Sequence, residues 1–459
     1  MKTLIAPALA GLIVIHASMT HAGHGQHQSP PVAESKPSTS LLSAEQLVAQ
    51  VLEKNAGLAQ LQSAIEADRA RSNYAGELPD PTFSGAFAPE TLGGFDTPSG
   101  RERGTNVRLE ISQRLPWPGK LALQSQAALA DVAVAKQSVD GMRLKLSEQT
   151  RQAYAEWVYA HEALRINEQH QALVEELRSS AETRYSAGLA SQQDVLQAEV
   201  QQQHLRHQQF KLQRLRRAIQ ARINALLSNT ENAVLGSPAP LTELPELSDY
   251  PTLKRSALAQ HPELLRIAKQ MDGSSLREAL AEKDFYPDFN LFTGYNSLWD
   301  DPNKRWVVGA GINLPINRDK YRSRLDEARA RTQQLRYALT DEKARLLSEL
   351  EQAHAAAVEA DHNLALYRNE VLPLSEENLS AARAEYGSGG GAFSDVIDAE
   401  QTRLMAQLEE ARSRSDAFIA RAALARWSAA PIAAKETAME NDTAHSITAS
   451  PTVSENIHE

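Results

Sequence analysis

The 459-residue chain has no cysteine, so it can form no disulfide, thiolate metal site, cysteine nucleophile or lipid-modified cysteine. Aromatic residues make up only 5%, too few for an ordinary packed core at this length. Ala, Gln, Glu, Arg and Leu crowd the long middle stretches instead, as in extended helical packing. Past the N-terminus there is no apolar run of about 18 residues, the length a membrane-spanning helix needs. Membrane strands stay open, because they are short and only half apolar. A basic excess is missing too: the net charge of −10 argues against a nucleic-acid partner. HExxH, GxSxG and P-loop patterns are absent, so neither enzyme activity nor a cofactor is expected.

The N-terminus carries targeting information. Lys2, an apolar run from Leu4 to Ile15 and Thr20-His21-Ala22 predict a signal peptide over 1–22, cut after Ala22. Residues 23–41, rich in His, Ser and Pro, and the polar, acidic residues 429–459 read as disordered tails. His24 and His27 in the first tail are a weak candidate for flexible metal binding. His204 and His207 lack a carboxylate at ligand spacing and read as a solvated helix face.

Between the tails the chain is written twice. Leu52, Asn55 and Leu58 recur as Leu258, His261 and Leu264, and Pro81-Thr82-Phe83 as Pro287-Asp288-Phe289, both at an offset of 206. Leu115-Pro116 returns as Leu314-Pro315 at 199, and Tyr185, Asp194, Ala198 and Glu199 return as Tyr386, Asp395, Ala399 and Glu400 at 201. Repeat one spans 42–235, a linker 236–250, and repeat two 251–428.

Each repeat follows one grammar. In the first, Ser43 and Gln46 are spaced as a capping box and open a helix over Leu42–Gly76, which Leu78-Pro79-Asp80-Pro81 stops. Two alternating runs, Thr82–Ala88 and Val107–Arg114, predict strands on either side of a Gly-rich loop. A stretch broken by no Pro then runs from Lys120 to Ser186, about 100 Å as a helix. Gly188 reverses it into a second helix over Gln192–Ser228, and the two shorter helices end to end match the long one. In repeat two, Gly387, Gly389, Gly390 and Gly391 stand at the reversal, and Pro373 should kink a long helix. Tyr295, Trp299 and Trp306 gather near a strand end, as an interfacial aromatic girdle would. Little chain is left to cover four such strands, and four cannot close a barrel alone, so several chains are expected to close it together.

These features resemble the TolC-like outer-membrane factors of tripartite efflux pumps and type I secretion systems, over Leu42 to Trp427. The resemblance rests on the duplicated layout, on Leu78-Pro79-Asp80-Pro81 and Tyr286-Pro287-Asp288 at the strand starts, and on Gln113-Arg114-Leu115-Pro116-Trp117-Pro118-Gly119-Lys120 at a strand exit. Its most specific part is the tip motif from Tyr185 through Gly188, Ser191 and Asp194 to Glu199. It implies a mainly α fold with a small transmembrane β-barrel: a homotrimer closing twelve strands above a long antiparallel coiled-coil tunnel. It also implies the Gram-negative outer membrane and its lipid as surroundings. The implied partners are a periplasmic adaptor (membrane fusion protein) and an inner-membrane RND pump. The Pro-Trp-Pro-Gly-Lys exit and the His-bearing tail resemble the heavy-metal branch. Drug efflux and type I secretion stand as alternatives, as does a soluble periplasmic coiled-coil adaptor, which would leave the strands without a role.

Site residues follow from the same resemblance. Asp395 and Asp398, three apart and so on one helix face, fall with Asp194 at the periplasmic aperture, where carboxylates from three chains attract cations. Gly391 stands where some members carry an arginine that holds the mouth closed. Tyr185, Gly188, Leu189 and Ser191, with Tyr386, Gly389 and Ser394 of the second repeat, match the exposed tip that meets the adaptor.

Overall fold

A computed structural model describes residues 41–88, 106–242, 246–297 and 301–430. The expected signal peptide, His24, His27, Trp299 and nearly all of both tails lie outside the described residues. Nine α-helices and four strands are described.

The opening segment starts at the expected capping box: Gln46 N–H donates to Ser43 Oγ at 3.2 Å, and Ser43 N–H to Gln46 Oε1 at 3.0 Å. It is two helices rather than the single one expected, α1 (Ala44–Lys54) and α2 (Ala56–Tyr74). Asn55 breaks it. With extended backbone, its Oδ1 accepts the Leu58 N–H at 3.0 Å and its Nδ2 donates to the Leu226 carbonyl at 2.9 Å. Asparagine prefers such a cap to a helix interior, because its side chain competes for backbone groups. The same break recurs at His261, whose Nδ1 accepts from Glu263 N–H and which precedes Pro262. A residue before proline is pushed out of the helical region.

Strands β1 (Thr82–Ala88) and β2 (Asn106–Leu115) then lead into α3 (Lys120–Ser186), a 67-residue helix about 100 Å long. Its partner α4 (Gln192–Leu226) returns from the tip. The second half repeats the order with α5 (Tyr250–Gln260), α6 (Pro262–Lys283), β3 (Phe289–Asn296), β4 (Trp306–Ile312), α7 (Arg318–Leu366), α8 (Leu372–Ser388) and α9 (Phe393–Ser428). Between α7 and α8, Tyr367–Val371 forms a π-helical turn in which Leu372 N–H reaches back to the Tyr367 carbonyl. Pro373 accounts for it: a missing N–H and a ring against the preceding turn loosen the helix there.

Each rod buries its own narrow core. Leu47, Val51, Leu58, Leu146, Tyr154, Trp157 and Ile223 join α1 to α4, while Leu253, Leu264, Leu346, Leu350 and Leu424 join α5, α6, α7 and α9. Tyr154 also pins the linker, its hydroxyl donating to the carbonyls of Leu42 at 2.8 Å and Ala239 at 2.7 Å. Burial pushes that hydroxyl up to about 12. The rods touch along their length, because α3 packs on α6 and α9 as well as on α2 and α4. No described helix is long and apolar enough to cross a membrane.

The sheet is antiparallel in the order β1-β2-β3-β4. Its register puts Phe83 opposite Ile111, Leu109 opposite Tyr295, and Tyr295 opposite Trp306. Residues directly opposite share a face. One face therefore carries Phe83, Phe87, Leu109, Ile111, Phe289, Leu291, Trp306, Val308 and Ile312, each exposed in the single chain. The other carries Ser84, Arg108, Glu110, Ser112, Asn290 and Asn296. Phe292 also lies there, across Gly309, which leaves no room for a Cβ. An apolar face of this size left in water would be an aggregation surface. Facing hydrocarbon, it is stable.

Candidate functional site

The far ends of the rods are reversals built from local hydrogen bonds. At the first, Gly188 takes φ +73°, and its N–H donates to Tyr185 at 2.9 Å while Leu189 N–H donates to Arg184 at 2.8 Å. Ser191 then caps α4: its Oγ accepts from Asp194 N–H at 3.3 Å and donates to Asp194 Oδ1 at 2.6 Å. Leu189 is 70% exposed and Tyr185 is also exposed. At the second reversal only Gly389 of the four glycines is left-handed, with φ +86°, and Gly387 still belongs to α8. The position matching Ser191 holds Ala392, which has no capping side chain. Ser394 sits inside α9, with its Oγ 3.4 Å from Asp395 Oδ1, so it does not take the capping role of Ser191.

The two tyrosines of the motif part company. Tyr185 points to solvent, whereas Tyr386 is half-buried between the rods against Phe393, with ring centroids 5.2 Å apart. The Arg184 guanidinium of α3 stacks over the Tyr386 ring at 4.5 Å. Burial, and then the Asp194 carboxylate, push the Tyr386 hydroxyl above its ordinary range. Leu177, Ala181, Ala198, Leu379, Val396 and Ile397 close the apolar layer behind it and tie α3, α4, α8 and α9 together. Asp395 and Asp398 lie exposed on α9 with no ion pair among the described residues, while Asp194 is half-buried. In a single chain the three aspartates do not share one cluster.

Further up the rods is a polar clamp that sequence reasoning missed. His170 Nδ1 of α3 lies 2.5 Å from Glu400 Oε1 of α9, and His170 Nε2 lies 2.8 Å from Gln407 Oε1. Gln201 of α4 donates to Glu400 Oε2 at 3.3 Å and accepts from Gln401 at 2.7 Å. His170, Glu400 and Gln201 are all buried. Glu400 stood out only as the repeat partner of Glu199, which is exposed. Nothing local separates the two.

The junction of strands and rods carries a second buried cluster. Asp288, just before β3, accepts from Arg114 at 2.7 Å, from Trp117 N–H at 2.9 Å and from Lys120 at 3.0 Å. Lys120 also reaches Asp284 at 3.2 Å, and Trp117 stacks on Tyr286 and Phe289 at 5.0 and 5.8 Å. Burial alone would raise the Asp288 carboxyl, but Arg114, the Trp117 N–H and Lys120 outweigh it and hold it at about 2. Its contribution is therefore full above about pH 4 and lost as pH falls through 2. Asp288→Asn should cost about 2 kcal/mol at neutral pH, since Lys120 loses a buried charge partner. Unfolding midpoints of wild type and variant should differ by a constant amount above pH 5 and converge near pH 2.

A sheet with one largely apolar, exposed face, carried on helices of this length, suits a protein whose strands face lipid. The chain belongs to the outer membrane efflux protein family, whose pattern it matches over residues 46–229 and 253–429. It is similar to "Probable outer membrane lipoprotein SilC" of Salmonella typhimurium, at 23% identity over 79% of this chain and 80% of that protein. It is also similar to "Nodulation protein T" of Rhizobium leguminosarum bv. viciae, at 24% identity over 79% of this chain and 77% of that one. Among solved structures, the fold matches the outer-membrane channel OprN with a TM-score of 0.72 at 20% identity, covering 84% of this chain and 90% of that one. This protein is an outer-membrane efflux channel of a Gram-negative cell, with its helices in the periplasm.

Proposed function

We propose that the chain is the homotrimeric exit duct of an RND-type tripartite efflux system that exports heavy-metal cations. The observation that carries this reading is the sheet: one face is apolar except for Gln113 and Thr293, and β1 and β4 are its outer strands. Open strand edges are not tolerated in hydrocarbon, and three copies would close twelve strands around a lumen. The rods then continue the barrel as a tunnel. A periplasmic adaptor, itself bound to the inner-membrane pump, meets the tip at Tyr185, Gly188, Leu189 and Ser191, with Tyr386, Gly389 and Ser394 beside it. Asp395, Asp398 and Asp194 line the aperture.

Metal cargo is supported by the Pro-Trp-Pro-Gly-Lys exit and the His-bearing tail, and a ring of carboxylates favours cations. In gentle detergent the protein should have the mass of three chains. A folded monomer with full helical circular dichroism would overturn the barrel. Deleting the gene should sensitise cells to metal cations, and sensitisation to drugs alone would reassign the cargo.

A further inference from the structure

The polar clasp around Glu400 sits inside an apolar seam. On α3, Ile166, Val174, Leu177 and Ala181 are buried on either side of His170. On α9, Phe393, Val396, Leu404 and Ala411 flank Glu400 in the same way. Glu400 is 0% exposed, so its carboxylate has no water to turn to. A carboxylate only accepts, and both of its oxygens therefore depend on neighbouring helices. Oε1 lies 2.5 Å from His170 Nδ1 of α3, and Oε2 accepts from Gln201 of α4 at 3.3 Å. Among the described residues no other charged group touches it, since Arg403, three residues further on, turns to Glu376 of α8 at 3.6 Å. A carboxylate stays out of water only where partners of this kind replace the water.

The place of the clasp along α9 gives it leverage. Glu400 follows Asp395 by five residues and Asp398 by two. The far end of α9 is fixed by Leu424, in the core of α5, α6 and α7, and by Arg426, which donates to Glu148 of α3 at 2.6 Å. Between Phe393 and Gln407, the clasp supplies the side-chain hydrogen bonds from α9 to α3 and α4 among the described residues. The companion helix is loosened at the π-helical turn Tyr367–Val371, whose Arg368 reaches Glu410 of α9 at 3.3 Å. Such a turn is a place where the lower part of the second rod can bend. The first reversal has no equivalent, because Glu199 at the matching position is exposed.

We propose that His170, with Gln201, positions the periplasmic aperture: by holding the Glu400 carboxylate it keeps the lower end of α9, and so Asp395 and Asp398, against the first rod. The proposal rests on the aperture reading above. Neither residue touches cargo. Without His170 the carboxylate is buried with half of its partners gone, and swinging α9 outward is the way for it to reach water. Removing the carboxylate as well abolishes that drive, because apolar residues in place of a buried ion pair are often neutral or stabilising. One substitution should therefore disturb the aperture, and the second should restore it.

The cysteine-free chain allows a direct measurement. Thr402→Cys, exposed on α9, carries one spin label per copy, and distances between copies are read by pulsed electron resonance in the full-length channel. Conductance and reversal potentials are recorded in planar bilayers for the same proteins. His170→Leu should give longer, broader distances, a higher conductance and a loss of cation preference. His170→Leu with Glu400→Leu should return all three to wild type, as should His170→Gln, which can still donate to Glu400. Unchanged distances in His170→Leu, even with a lowered unfolding midpoint, would make the clasp merely structural and overturn the proposal. So would a double variant as disturbed as the single one, or failure of His170→Leu alone to assemble. Altered distances with an unchanged cation preference would leave the clasp standing and overturn the aperture reading. No distance between copies in the wild type would overturn the trimer.

Discussion

Replacing Asp395 and Asp398 together by asparagine is expected to abolish most of the cation preference of the channel in planar bilayers, with the barrel unchanged. Both side chains are exposed on α9, beside the second reversal, and neither makes an ion pair among the described residues. Their removal therefore leaves no buried partner unsatisfied. Three copies would bring two such carboxylates each to a narrow mouth, where low-dielectric walls concentrate the field. The wild-type preference should shrink with salt, because the Debye length falls to about 3 Å at 1 M. Reversal potentials at low salt decide the matter. A double variant as cation-selective as wild type returns both residues to an ordinary solvated helix face.

Leu189→Glu should abolish export while leaving the assembled, membrane-inserted channel intact. Leu189 is 70% exposed at the end of the molecule and packs against no core cluster, so its removal has little cost to the fold. A docking partner that buries it would gain about 2 kcal/mol from the side chain, and a carboxylate there reverses the sign. Gly188 is a poorer probe, since its φ of +73° makes any substitution strained. Cells carrying Leu189→Glu should be as sensitive as a deletion strain, with normal amounts of channel in the outer membrane. Full resistance in such cells would remove Leu189 from the contact surface.

Much of the molecule was legible before any coordinates. Helix and strand periods are local properties, and Pro and Gly punctuate them, so the limits of α3, the turn at Gly188 and the β1–β2 pair could be read directly. The alternation of Val107, Leu109 and Ile111 already implied a sheet with an apolar face. The loosening at Pro373 was equally local. Less visible was the break at Asn55, because an asparagine in a helical pattern reads as a tolerated residue until its side chain finds Leu226, some 170 positions away.

What remained hidden concerns contacts between the halves. Tyr185 and Tyr386 occupy matching places in the two motifs, yet one faces solvent and the other packs under Arg184. Glu199 and Glu400 match as well, yet only Glu400 is buried, against His170. By itself the sequence determined which elements form, in what order, and that each repeat reverses at a glycine. Tertiary structure alone decided which copy of each repeated residue turns inward. The physical reason is that two halves of nearly the same pattern pack against each other asymmetrically. Burial then depends on which neighbouring helix lies across a residue, and no periodicity within one half encodes that.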